Sequence, residues 1–160
     1  VADRVTISQA TVADVAFVAQ HLRAADRAEL QAMHGPDADI VALLAQSAAI
    51  TPELLVAADA ATGEPLCVFG VAPIPGTLAG CPWMLGTDRL QGFARELIVI
   101  CRAYVDRWSA EHVGLGNFVH AENTRSIRWL QALGFTVGDA VPVGPHGGMF
   151  RPFERVHVTP

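Results

Sequence analysis

The stretch Asn123-Thr-Arg-Ser-Ile-Arg-Trp-Leu-Gln-Ala-Leu-Gly-Phe135 constrains the fold more tightly than any other part of the chain. It reads as one short helix with both of its ends marked. Asn123 suits the N-cap, because its side-chain oxygen accepts from the free N–H groups of the first turn. Gly134 stands where a left-handed C-terminal cap is wanted, and Phe135 then begins a strand. Ile127, Leu130 and Leu133 form the inward stripe, and Arg125, Arg128 and Gln131 face water.

Around that helix the chain is globular in composition. Its 160 residues are 51% hydrophobic and 17% charged, enough for one domain with a core that needs no disulfide staples. Eleven basic against 16 acidic residues give a net charge of −5, which argues against a nucleic-acid partner. Cys67, Cys81 and Cys101 are odd in number and lack metal or redox spacing, so reduced thiols in a cytoplasm are expected. Apolar runs such as Leu97–Cys101 are too short to span a bilayer, and residues 1–10 lack the layout of an export signal.

The remaining elements follow from periodicity. Residues 4–9 alternate as a first strand, and Thr11 with Asp14 makes a capping box for a helix carrying Val15, Val18, Ala19 and Leu22. A second helix covers Ala24–Met33 and ends at His34-Gly35-Pro36. A third runs from Asp37 to Ala49 and closes at Thr51-Pro52. Strands at Glu53–Ala58 and Pro65–Val71 flank a glycine-containing turn. After the Pro73–Gly80 loop come a short strand, Pro82–Gly86, and the longest helix, Gly92–Trp108. A strand at Gly114–Val119 precedes the opening helix. Phe135–Val137, a Gly/Pro-rich loop over 138–148 and a last strand, Met149–Val156, complete the chain. No repeat or linker divides it, so a single α+β domain over 1–160 is expected.

The strand-to-helix junction Arg89-Leu-Gln-Gly-Phe-Ala94 carries the second signal. Free N–H groups at a helix start point at an anion, and a small residue lets backbone approach a pyrophosphate. Such a loose pattern is weak alone. Its pairing with the Asn123–Phe135 helix, where Gly134 follows Arg89 by 45 positions, is more specific. Over residues 82–137 the chain resembles the GNAT acetyltransferase superfamily, which pairs Arg/Gln-x-x-Gly-x-Gly/Ala with Asn-x-x-(Ala/Ser)-Ile-x-x-Tyr-x-x-x-Gly-Phe. The resemblance implies a mixed, mostly antiparallel central sheet flanked by helices. It implies acetyl-CoA or CoA as cofactor without a metal, held by Arg89, Gln91, Gly92, Phe93, Ala94 and Asn123. It also implies that the strands at Pro82–Gly86 and Gly114–Val119 splay apart to admit the coenzyme arm, with pairing loosened near Gly116-Asn117.

The chain departs from the family pattern at the general acid. The Tyr expected seven positions after Asn123 is Leu130, which cannot protonate a leaving thiolate, and the neighbouring Trp129 does not titrate. Cys81–Gly86 offers no carboxylate. Candidate replacements are His120 and Glu122, with Tyr104 and Glu96 behind them; His120 suits proton transfer near neutral pH. A plain strand-end histidine is the competing reading. The other histidines (His21, His34, His112, His146, His157) show no ligand spacing, and no metal site is expected. Arg23, Asp26, Arg27 and Glu29 read as a solvated helix face with i,i+3 pairs, at the place where GNAT proteins bind the acceptor.

A second resemblance spans nearly the whole chain. Leu22–Leu30, Pro82–Asp88, Asn117–Val119 with Asn123–Phe135, and Gly144–Glu154 are similar to a GNAT-like family of small proteins from tailed phages and prophages. That family includes an internal virion protein of short-tailed phages. It implies a phage-type protein with a degenerate acetyltransferase site, acting in virion assembly with other virion proteins in a host cell and retaining residual acetyl-CoA binding. The alternative is an active N-acetyltransferase acting on a small-molecule or protein amine. A third reading keeps coenzyme A as a structural ligand without turnover.

Overall fold

The computed structural model describes residues 3–156. His157 lies outside them, so its side chain is not placed. In chain order the elements are β1 (Val5–Gln9), α1 (Val12–Gln20), α2 (Ala24–His34), α3 (Ile40–Ala49), β2 (Leu54–Asp59), β3 (Pro65–Pro73) and β4 (Gly80–Gly86). A 3₁₀ turn (Asp88–Phe93) leads into α4 (Ala94–Glu111), followed by β5 (Gly114–His120), α5 (Thr124–Ala132), β6 (Thr136–Val137), β7 (Val141–Val143) and β8 (Gly148–Val156). One sheet carries the strands in the order β1-β2-β3-β4-β5-β8-β6, with β7 on the far edge of β8. Every pairing is antiparallel except β4 with β5.

Both faces of the sheet are covered, and β2 shows it: all six of its residues are buried. Leu55, Ala57, Cys67 and Phe69 pack under Leu97, Cys101, Val105 and Trp108 of α4 and Ile127 of α5. Leu54, Val56, Val68 and Leu85 face α1 and α3 through Val15, Val18, Ile40 and Leu44. The capping box at α1 forms as its sequence implies. The Thr11 N–H donates to Asp14 Oδ2 at 2.8 Å, and the Asp14 N–H returns a bond to Thr11 Oγ1 at 3.2 Å.

At α5 both ends behave as read. Asn123 Oδ1 accepts from the Ser126 N–H at 3.2 Å. Gly134 takes φ 92°, where the Phe135 N–H reaches the Leu130 carbonyl and the Gly134 N–H reaches that of Gln131, the paired bonds of a Schellman cap.

Three expectations need correction. The long helix starts at Ala94, not Gly92, because the residues before it wind as a 3₁₀ turn. The loop after β6 hides the short strand β7; Pro142 lacks a ladder donor and is tolerated because β7 is an edge strand. The face of α2 is not solvated throughout: Asp26 is 1% exposed and Glu29 is largely covered.

Candidate active site

The site starts from a break in hydrogen bonding. β4 and β5 share one registered pair, Gly80 with Leu115, and diverge beyond it. The Thr87 N–H donates to the Leu66 carbonyl at 2.9 Å, which sets the phase of the β3–β4 ladder. That phase turns the Pro82 carbonyl and both backbone groups of Met84 and Gly86 toward β5. Asn117 bridges the start of the gap, its Nδ2 donating to the Pro82 carbonyl at 2.9 Å. Further along, Met84 has no registered partner on β5. An open strand edge inside a fold is an unfilled set of donors and acceptors.

The far end of the edge is closed by α2. The Arg23 N–H donates to the Gly86 carbonyl at 2.9 Å, and the Gly86 N–H donates to Asp26 Oδ2 at 2.8 Å. Arg23 Nε also donates to Asp26 Oδ2, at 2.7 Å. Burial pushes the Asp26 carboxyl above its ordinary range, while Arg23 and the Gly86 N–H pull against that rise. One turn on, Glu29 Oε1 accepts from the His120 N–H at 2.6 Å, fixing α2 to the end of β5. Its second oxygen has no partner among the described residues. Burial pushes the Glu29 carboxyl up to about 7.

Between these groups a cavity of about 350 Å³ runs through the sheet. On the α2–α3 side it is bordered by Glu29, Leu30, Met33, Ile50 and Trp83, and on the α4–α5 side by Cys101, Val105, Ser126, Trp129 and Leu130. The side chains of Trp83 and Phe118 border the cavity without closing it. A second, polar cavity of about 400 Å³ lies at the ends of β4 and β5, where Ala24 and Ala25 begin α2 and Thr124 and Arg125 begin α5. Two helix starts direct free N–H groups toward it. Arg23 and Arg125 stand there against Asp88 and Glu122.

The residues expected at the site divide between these places. Gln91, Glu122 and Asn123 border the polar cavity together, and Arg125 donates to Gln91 Oε1 across it. Asn123 Nδ2 is buried with no partner, an orphaned donor of the kind a ligand satisfies. Nothing lies within 4 Å of a Cβ built on Gly92, so this turn leaves room for a group against its backbone. Arg89 turns away: its guanidinium binds Asp59 and, at 3.1 Å, Glu64. Phe93 is buried in the core, leaving only the backbone of Phe93 and Ala94 available to a ligand. The His120 ring packs on Phe150 and borders neither cavity; its backbone, not its imidazole, serves the site. Leu130 does border the through-sheet cavity, at the position expected for an acid.

Asp26 and Glu29, read from sequence as a solvated face at the acceptor end, border the cavity instead, and the sequence held a signal for that. They stand at i and i+3 on the face that carries Leu30 and Met33, so the same rotation that buries those residues buries the acids. Among the described residues no three His, Cys, Asp or Glu side chains group as metal ligands, and no helix is long and apolar enough to cross a membrane.

Solved structures share this fold. Spermidine N-acetyltransferase from Vibrio cholerae, in complex with CoA and spermine, superposes with TM-score 0.68 at 15% identity, over 98% of this chain and 97% of that one. Ard1 from Thermoplasma volcanium gives 0.69 at 16%, over 98% and 99%. The fold is that of the GNAT acetyltransferases. A GNAT superfamily phosphinothricin acetyltransferase from Sinorhizobium meliloti, in complex with AcCoA, agrees at TM-score 0.66 and 14% identity over 96% and 88%. No protein-family model and no curated protein matches the sequence.

Proposed function

We propose that the protein is an acetyl-CoA-dependent N-acetyltransferase whose coenzyme arm lies between β4 and β5. The observation that carries this reading is the edge of β4, unregistered with β5 beyond Gly80, with Met84 beside a cavity lined from both faces of the sheet. The residues present fit the coenzyme: the Gly92 turn has space, and Asn123 Nδ2 is a buried donor in need of an acceptor. Acetyl-CoA, when bound, supplies an activated thioester carbonyl to an attacking amine.

The protein's own groups then have distinct tasks. Glu29, held by the His120 N–H, takes a proton from the incoming ammonium, and its raised affinity for protons matches a base working near neutrality. The Met84 N–H, on the side of β4 that faces β5, would be placed to stabilise negative charge on a thioester carbonyl lying in the gap. Leu130 contributes packing and no proton. A proton for the coenzyme thiolate would have to come from elsewhere than the Leu130 position.

Calorimetric titration with CoA and acetyl-CoA, followed by acetyl transfer to a panel of amines, tests the reading. Binding and acceptor-dependent transfer are expected, and Gly92→Glu should abolish both by setting a carboxylate against the coenzyme's anionic end. Unchanged CoA binding in that variant would remove the turn from the site. The reading as a phage-type virion-assembly protein rests on sequence resemblance and on Leu130. It, and coenzyme A as a ligand without turnover, both require that no amine in the panel be acetylated.

A further inference from the structure

The walls of the through-sheet cavity on its α2–α3 side are unusual for a site that takes a cation. Leu30, Met33, Ile50, Trp83, Phe118 and Phe150 make most of this wall, and Glu29 is the acid in it that has no basic side chain paired to it among the described residues. The other acid there, Asp26, has its Oδ2 committed to Arg23 Nε and the Gly86 N–H. Trp83 is fixed in orientation, its Nε1 donating to Thr51 Oγ1 at 2.9 Å, so its ring offers a set surface. Two large apolar side chains at the cavity remain open to water, Ile50 at 63% and Phe118 at 41% exposure. Such exposure is unfavourable in the free protein and is relieved when an apolar body covers it.

From this geometry we infer that the acceptor is a monoamine with an aromatic or branched apolar body, its ammonium on Glu29 and its body against Trp83, Ile50 and Phe118. The inference rests on the acetyl-transfer reading and names its acceptor. A polyamine fits less well, because the other acid of the wall, Asp26, already neutralises Arg23 and holds the Gly86 N–H, so a second ammonium gains little there for the hydration it loses. An ammonium on Glu29 satisfies the free carboxylate oxygen and brings its nitrogen to the side of the sheet opposite the α4–α5 wall. Apolar area then sets affinity, and the carboxylate sets orientation.

The test measures binding as well as turnover. Calorimetry with 2-phenylethylamine, hexylamine and spermidine is run on the full chain with and without saturating CoA, and acetyl transfer to each is followed by thiol release. 2-Phenylethylamine is expected to bind roughly tenfold or more tighter than spermidine, in line with the apolar area it buries. Ile50→Asp and Phe118→Asp, two exposed positions whose melting temperatures serve as fold controls, should each raise KM for 2-phenylethylamine while leaving kcat nearly unchanged. Glu29→Gln should weaken every amine. Spermidine binding as tightly as 2-phenylethylamine, no measurable amine binding, or indifference to both aspartate variants would overturn the inference. Transfer that prefers spermidine leaves the acetyltransferase reading standing while removing this one. Selective amine binding without CoA binding does the reverse.

Discussion

Glu29 concentrates the chemistry of the site in one carboxyl group. Its proton affinity rises from the ordinary 4.5 to about 7 because burial disfavours the charged form more than the His120 N–H favours it. A group raised in this way contributes its full stability below its unfolded value and loses it as pH climbs through the folded value. The fold should therefore weaken between roughly pH 4.5 and 7, by at most about 3 kcal/mol from this residue. Glu29→Gln keeps an acceptor for the His120 N–H and carries no charge, so it should flatten that decline. Its melting temperature at pH 8 should exceed that of the wild type by about 3 °C or more. The same variant should lose the limb of acetyl transfer that rises through about pH 7, read from kcat/KM. More stability at pH 8 with less activity is a combination that a merely structural glutamate would not give.

Asp26 is raised by burial as well, but it is tied into the fold by more partners. It is buried, paired and bonded to the edge of β4, and removing it leaves both Arg23 and the Gly86 N–H without a partner. Asp26→Ala should destabilise by about 3 kcal/mol or more, measured by urea unfolding.

At the scale of elements, α5 was legible because its signals are local. An N-cap and a C-terminal glycine act within a few residues of the chain, and the folded helix uses both. A Cβ on Gly134 would meet nothing closer than 3.8 Å, so Gly134→Ala tests the backbone conformation alone and should lose about 1–2 kcal/mol. Asn123 separates two roles. Asn123→Ser keeps a cap oxygen and removes the amide donor, so stability should change by less than about 1 kcal/mol. CoA affinity, by calorimetry, should fall by roughly tenfold.

What stayed hidden depends on partners far apart in sequence. Arg89 fits a coenzyme-binding pattern, yet Asp59 and Glu64 from the β2–β3 turn capture its guanidinium. The opposing wall of the site was equally unreadable, since Glu29 meets His120 across 91 positions. β7 escaped because three residues cannot show a period.

At the scale of the molecule, alternation and helical periodicity marked the elements along the chain, the family resemblance implied the mixed, mostly antiparallel α+β sheet that is found, and the order of strands within it came only from the structure. Divergence of β4 from β5 was expected near Gly116-Asn117 and begins just past the Gly80–Leu115 pair, where Asn117 reaches back to the Pro82 carbonyl. A ligand that fills this gap binds the folded chain alone. Saturation to 100 times its Kd should raise unfolding stability by about 2.7 kcal/mol, seen as a shift in melting temperature.

The through-sheet cavity also decides the order in which substrates and products can come and go. Its lining comes from the α2–α3 face and from the α4–α5 face, so in the proposed reaction an amine and an acyl donor would lie on opposite sides of the sheet and be present together. No covalent acyl-protein stage is then required. The thiols at the cavity are poor candidates for one, since burial pushes Cys101 up to about 12 and raises Cys81 as well. Initial rates should give intersecting rather than parallel lines when amine is varied at several fixed concentrations of acetyl-CoA. A compound bound against the α2–α3 wall should then compete with the amine and leave CoA affinity intact.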